Sequence, residues 1–266
     1  MIKFEKVHNL SNIQGLRDKY FMDLPTTMDG MWISIINSSE FYEIYYQTNL
    51  AGYFSLSSDG ILIQFFLDNE FLHLSQDIFT KTLLDYSIQI AHTFTFDPLF
   101  FSLCLDFHRS LSIHTYLFQD SKRSVSEIED DYQFIQAEEG QFQAIIDFYQ
   151  KNTDMDGLFL NRFVSELITD GGCFILFNKN HEILGIGELR KNIHRPSFVD
   201  LGVIVSAENR SKGIGTCILT KLNKISNQKE LESICSCESD NIASKRMIEK
   251  AGFITNKHRL CLVRFE

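Results

Sequence analysis

Residues 198–222, FVDLGVIVSAENRSKGIGTCILTKL, constrain this chain more than any other stretch. They read as an apolar strand, a polar turn holding Arg210, Lys212, Gly213 and Gly215, and an amphipathic helix entered directly from that turn. Glycines weaken a helix and cations oppose the positive end of its dipole, so the turn is poor helix-starting chemistry. A helix N-terminus presents unpaired N–H groups and favours an anion, which glycines let approach the backbone. The expectation is therefore an anion, most simply a phosphate, resting between Arg210 and Gly215, against the plainer reading of a solvated turn. A P-loop would need GxxxxGK[ST], which is absent, and a dinucleotide fingerprint would need GxGxxG early in a βαβ unit.

The rest of the second half places this strand–turn–helix in an α/β pattern. Strands are predicted over 132–137, 173–177, 183–190, 198–205 and 231–237, with two short ones within 253–265. Helices are predicted over 139–151, 158–169, 211–225 and 241–250, the first two carrying Phe142, Ile145, Ile146, Tyr149 and then Phe159, Phe163, Leu167, Ile168 at helical spacing. Asp170-Gly171-Gly172 ends the second helix. The stretch SKRSVSEIEDD (121–131) reads as a linker, dividing a domain over 1–125 from one over 126–266.

The first half carries a fainter version of the same order. Strands over 41–46, 51–56 and 61–67, a helix over 73–90 and a strand over 91–96 repeat the β-β-β-α-β run of 173–237. A degenerate second copy and a convergent meander with a helix both account for it. Where the second half has its cationic, glycine-bearing turn, the first has Asp68-Asn69-Glu70-Phe71-Leu72-His73, whose carboxylates would repel a phosphate. Trp32, Tyr42, Tyr45, Tyr46 and Tyr53 are candidates to wall an acceptor site, or simply sheet aromatics.

Composition narrows the function classes. A formal net charge of −10 argues against a nucleic-acid partner, which would need a concentrated basic face. No apolar run is long enough to span a bilayer and MIKFEKVHNL does not read as a signal peptide, so no membrane partner and a cytoplasmic location are expected. The six cysteines have no CxxC spacing and the eight histidines form no ligand set, so reduced, hydrophobic cysteines and no metal are expected.

Two motifs carry a resemblance. Arg210-Ser-Lys-Gly213-Ile-Gly215 after a strand, followed by Asn241-Ile-Ala-Ser244 and Glu249-Lys250-Ala-Gly252-Phe253, resembles the GCN5-related N-acetyltransferases (GNAT) over roughly residues 132–266. The resemblance implies the GNAT fold, a mixed, mostly antiparallel α/β sheet flanked by helices, with acetyl-CoA as co-substrate and an N-terminal α+β domain of the same half-fold. It implies that strand 198–205 splays from strand 231–237 and that coenzyme A lies against Val203, Ile204 and Val205. Its pyrophosphate would rest on Arg210, Ser211, Lys212, Gly213, Ile214, Gly215 and Thr216, with Asn241 and Ser244 near the thiol end. The implied reaction is direct attack of a small-molecule or peptide amine on the thioester.

Asp200 and Glu188, the carboxylates on the central strands, are the candidate bases, or else satisfy a neighbour. Ile248 stands where many members of that family carry a tyrosine acid. A non-catalytic acyl-CoA-binding or sensing protein on the same scaffold is the alternative, a relative in fold alone is a third, and a homodimer is left open.

Overall fold

The computed structural model describes residues 1–123, 131–155 and 157–265, apart from the Asn256 side chain. The proposed linker lies largely outside those residues. The chain forms two units, Met1–Tyr116 with Lys257–Glu266, and Leu117–Asn256.

Unit 1 begins with β1 (Ile2–Lys6), α1 (Gln14–Asp23), α2 (Gly30–Asn37), β2 (Glu40–Tyr46), β3 (Asn49–Leu56) and β4 (Leu62–Leu67). It continues with α3 (Ser75–Asp85), β5 (Ile90–Phe94), α4 (Pro98–Phe107) and the start of β6 (Ser110–Asp120). Unit 2 holds β7 (Gln133–Gln136), α5 (Phe142–Asn152), α6 (Gly157–Thr169), β8 (Cys173–Phe177), β9 (Ile183–Lys191) and β10 (Phe198–Val205). Then come α7 (Ile214–Gln228), β11 (Glu232–Glu238), α8 (Ile242–Lys250) and the start of β12 (Phe253–Arg264), whose residues from Lys257 onward belong to unit 1. The order β-α-α-β-β-β-α-β-α-β thus occurs twice in full. The repeat reading holds, and it extends to three helices the sequence did not reveal, α1, α2 and α4.

Three sequence expectations are corrected. The last ten residues belong to unit 1, not to a domain running 126–266, because β12 pairs antiparallel with β5 from Leu260↔Phe94 to Arg264↔Ile90. Residues 253–264 form one strand rather than two. The helix expected over 73–90 stops at Asp85, where Tyr86 leaves helical geometry and Ser87 takes a positive φ.

Within unit 1 the ladder runs β1-β2-β3-β4-β5-β12, and within unit 2 β7-β8-β9-β10-β11. One face of unit 1's sheet packs under α3 and α4 through Phe54, Phe65, Phe79, Phe100, Leu103 and Val263. In unit 2, α5 and α6 cover β8 and β9 with Ile145, Tyr149, Leu160, Val164, Ile175 and Ile186. A capping box at Glu138 and Gln141 precedes α5, and Gly171 at φ +66 ends the chain segment after α6. On the other face α7 lies against the glycines of β9. A Cβ at Gly185 would meet the Ile218 Cδ1 at 2.7 Å, and one at Gly187 would meet Ile218 Cγ2 at 2.8 Å. Those glycines let helix and strand touch, which packs Ile218 and Leu222 to zero exposure.

Candidate active site

The site of unit 2 begins where two strands part. β10 pairs antiparallel with β9 along its length, from Val199↔Lys191 to Val205↔Gly185. Its parallel ladder to β11 covers only Phe198↔Glu232, Val199↔Ser233 and Asp200↔Ile234. From Leu201 onward the β11-facing edge of β10 has no ladder partner, and Gly202, Val203, Ile204 and Val205 are half-buried rather than closed in. A cavity of about 120 Å³ occupies the gap, lined by β10 (Asp200–Val203), Cys235 and Ser236 of β11, Leu219 of α7, and Ser244, Met247 and Ile248 of α8. Arg190 of β9 reaches it as well. An unpaired strand edge beside a slot is where an extended ligand adds like a strand.

The turn after β10 has the expected geometry in part. α7 starts at Ile214, three residues later than expected, because Ser211 (φ +62) and Gly213 (φ +84) both sit on the left-handed side. No side chain caps α7, and the first intrahelical bond is the Cys217 N–H to the Gly213 carbonyl at 3.0 Å. The N–H groups of Ile214, Gly215 and Thr216 therefore open at an uncapped helix start. A Cβ on Gly213 would meet nothing within 4 Å, so this glycine answers to its φ and leaves open space before the helix.

Gly215 has a different reason. It is buried, and a Cβ there would stand 3.1 Å from Met247 Cγ and 3.5 Å from Val205 Cγ2, so it serves the packing of α7 on α8 and β10. The two cations are exposed. Arg210 donates from Nη2 to the Asn152 carbonyl at 3.2 Å, tying the turn to the end of α5, and Lys212 donates to Asn209 Oδ1 at 3.1 Å.

On α8, the Asn241 side chain is committed as the N-cap, accepting from the Ser244 N–H at 3.0 Å. It is exposed, whereas Ser244 is the one of the pair that lines the cavity. Ile248 is buried and lines it too, and Gly252 at φ +93 ends the helix.

Asp200 and Glu188 meet in one buried network with two residues the sequence reading did not single out. Period 2 and the β9–β10 register put Glu188 opposite Gly202 and Arg190 opposite Asp200, all toward the face covered by α5. Arg190 forms ion pairs with Glu188 and, at 2.8 Å, with Asp200. Tyr149 of α5 donates to Glu188 Oε1 at 2.5 Å. Both carboxylate residues are under 5% exposed. Gly202 leaves the space the network needs, since a Cβ there would stand 2.4 Å from Glu188 Oε2. Burial, more than its neighbours, drives the Tyr149 hydroxyl pKa far above its ordinary value, so the phenol stays protonated as a donor. Arg190 was findable, because it aligns with Asp200 once the hairpin register is drawn. Tyr149 reads as one more apolar position of α5 until the tertiary packing aims its hydroxyl.

Unit 1 builds the same place differently. β4 and β5 share only Leu62↔Ala91, but every residue of β4 is buried, and Phe65, Phe100, Leu103 and Cys104 pack the region solid. At the following turn Asp68 pairs with Lys19 at 2.8 Å. That hydrogen bond first, and the N–H groups of Asn69 and Glu70 after it, hold the Asp68 carboxyl below its usual range. The chain's own carboxylate thus takes the position an external anion would need. The aromatic wall expected there is not one surface. Tyr42 stacks on Phe54 and Tyr46 packs on Phe71 on one face, whereas Tyr53 lies on the other, as strand alternation requires, and Trp32 is buried on α2.

Among the described residues no group of three or more His, Cys, Asp or Glu is placed to hold a metal, and all six cysteines are free and buried. No helix is long and apolar enough to cross a membrane.

Two family models match the sequence. That of an acetyltransferase (GNAT) domain matches residues 9–121, and that of the acetyltransferase (GNAT) family matches residues 123–253. No curated protein matches. Among solved structures, an acetyltransferase of the GNAT family from Colwellia psychrerythraea is 29% identical with a TM-score of 0.92, over 99% of this chain and 100% of that one. A GCN5-related N-acetyltransferase from Sphaerobacter thermophilus superposes with a TM-score of 0.68 at 9% identity, over 99% of this chain and 95% of that one. A tandem GNAT protein from the clavulanic acid biosynthesis pathway does so at 0.63 and 11%, over 99% and 98%. Those last two likenesses concern the fold alone. With a GNAT model matching each half and the same ten-element order built twice, the chain belongs to the GNAT acetyltransferase family as a tandem of two such domains.

Proposed function

We propose that unit 2 is an N-acetyltransferase site that takes acetyl-CoA and a primary amine of a small molecule or peptide. The observation that carries the reading is the ladder of β10, which continues to Val205 on the β9 side and stops at Asp200 on the β11 side. That edge leads straight into the uncapped start of α7, so one extended ligand can hydrogen-bond along Val203–Val205 and rest a pyrophosphate on the N–H groups of Ile214, Gly215 and Thr216. Arg210 and Lys212 flank that end with positive charge, and Gly213 leaves it open. Ser244 and Ser236 lie along the same slot.

The bound thioester supplies an activated acetyl group. This chain's part is to hold the amine beside it and take up the ammonium proton. Of the two candidate carboxylates, Asp200 lines the cavity and Glu188 does not, so Asp200 is assigned the proton-accepting role. Arg190, Glu188 and Tyr149 then fix its orientation as positioning residues. The second reading, an acyl-CoA-binding protein without turnover, is favoured by one feature: Arg190 already engages both carboxylates, and a paired carboxylate is a weaker base.

The test is calorimetric titration with acetyl-CoA, followed by turnover against an amine panel. Binding in wild type that Gly213→Glu abolishes while retaining its circular dichroism supports the site. Turnover reduced by Asp200→Asn with unchanged acetyl-CoA affinity supports catalysis. Unimpaired binding in Gly213→Glu sinks the loop assignment, and binding without turnover selects the second reading.

A further inference from the structure

On the face of unit 1's sheet beneath α1, polar side chains are buried among the rings of Tyr20, Phe41, Tyr53 and Phe66. Ser55 of β3 and Gln64 of β4 are cross-strand partners, both at 0% exposure. Ser55 Oγ has no hydrogen-bond partner among the described residues, whereas the Gln64 amide interacts with the Tyr20 hydroxyl. Tyr53, on the same face of β3, buries a hydroxyl that, like that of Ser55, has none. On α1, Arg17 is 6% exposed, its guanidinium 4.9 Å over the Phe41 ring, which is itself 6.0 Å from the Tyr53 ring. Its Nη2 donates to Asn37 Oδ1 at 2.7 Å, its Nε donates to nothing, and among the described residues it makes no ion pair.

The buried carboxylates of this unit are engaged otherwise. Asp97 accepts from Tyr20 at 2.8 Å and from the Phe100 N–H, and Glu43 accepts from Tyr45. Asp29 caps α2 through the Trp32 N–H.

Each unmade hydrogen bond of a buried group destabilises the fold, and a buried cation without a counter-charge does so more. Water can satisfy hydroxyls and amides, but it cannot neutralise Arg17. The matching occupant has a negative charge for the guanidinium and acceptor oxygens for the Tyr53 and Ser55 hydroxyls.

We propose that Arg17, Tyr53 and Ser55 form a buried binding site in unit 1 for a small carboxylate. The planar carboxylate lies against the Arg17 Nε–H edge, the geometry in which guanidinium and carboxylate match two-to-two. This site is separate from the acetyl-CoA site proposed for unit 2 and does not depend on it.

The test titrates the full chain with sodium acetate at constant ionic strength, using acetamide as the uncharged isostere and reading the thermal midpoint. Acetate is expected to raise the midpoint saturably in the millimolar range and acetamide to leave it unmoved. Arg17→Met should abolish the effect. Tyr53→Phe removes a hydroxyl that has no protein partner, so it should fold as wild type and weaken acetate about tenfold. No saturable acetate effect means that water alone fills the cluster and overturns the proposal. An acetate effect unchanged in both variants places the anion elsewhere and overturns it equally. Acetyl-CoA titrated into the same proteins reports on unit 2 independently.

Discussion

Arg190→Met tests the network at the candidate site, because the structure fixes what it leaves behind. Arg190 bridges Glu188 and Asp200, whose side chains are 5% and 4% exposed, while its own is 29% exposed. Removing one partner of a buried ion pair costs about 3–5 kcal/mol, since the remaining charge stays desolvated. The partial exposure of Arg190 favours the lower end, about 3 kcal/mol. Wild type and variant should differ by about 3 kcal/mol near pH ~7.

Urea unfolding by circular dichroism measures the difference. The loss should appear in the dichroism transition. Arg190→Met/Asp200→Asn should regain at least half the loss. A difference of under ~1 kcal/mol at neutral pH would falsify the account of Arg190 as the counter-charge of two buried carboxylates.

Two further outcomes concern single groups. Burial pushes the Asp97 carboxyl up to about 6, against the opposing hydrogen bonds of Tyr20 and the Phe100 N–H. Its raised folded value means that its contribution is present below the unfolded pKa and is lost as pH rises through about 6. Asp97→Asn should therefore gain on wild type by up to about 3 kcal/mol between pH ~4 and ~8 in Trp32-monitored unfolding; a pH-independent offset would refute the burial argument. Tyr149→Phe deletes the hydroxyl that donates to Glu188 and should cost about 1.5–3 kcal/mol by urea unfolding, as for a hydrogen bond to a charged group. It should leave acetyl-CoA affinity unaltered, and a cost under ~0.5 kcal/mol would show that water replaces the phenol.

The elements of unit 2 were legible because their periodicity is strong and their ends are punctuated. α5 and α7 bury residues at i, i+3 and i+4 spacing, and Gly171 and Gly252 mark helix ends with positive φ. α4 was not legible. PLFFSLCLDF is apolar on nearly every side and so shows no period, although Asp97 as N-cap and Pro98 at the first position announce it. α1 failed for the opposite reason, its polar residues blurring the apolar stripe.

Sequence alone determined the turn chemistry: a strand, two cations, a glycine that must take positive φ, and a helix. These are local facts, set by backbone sterics and by the unpaired groups of a helix start. It could not determine why each glycine is there. Gly213 answers to φ, Gly215 to Met247 and Gly202 to the Glu188–Arg190 pair, and the last two reasons lie across strands and helices far away in the chain. The Tyr149–Glu188–Arg190–Asp200 network, the return of β12 to unit 1 and the polar groups buried under α1 were likewise decided only in three dimensions. Side-chain alternation says which face a residue takes, but strand order and helix placement decide what waits there.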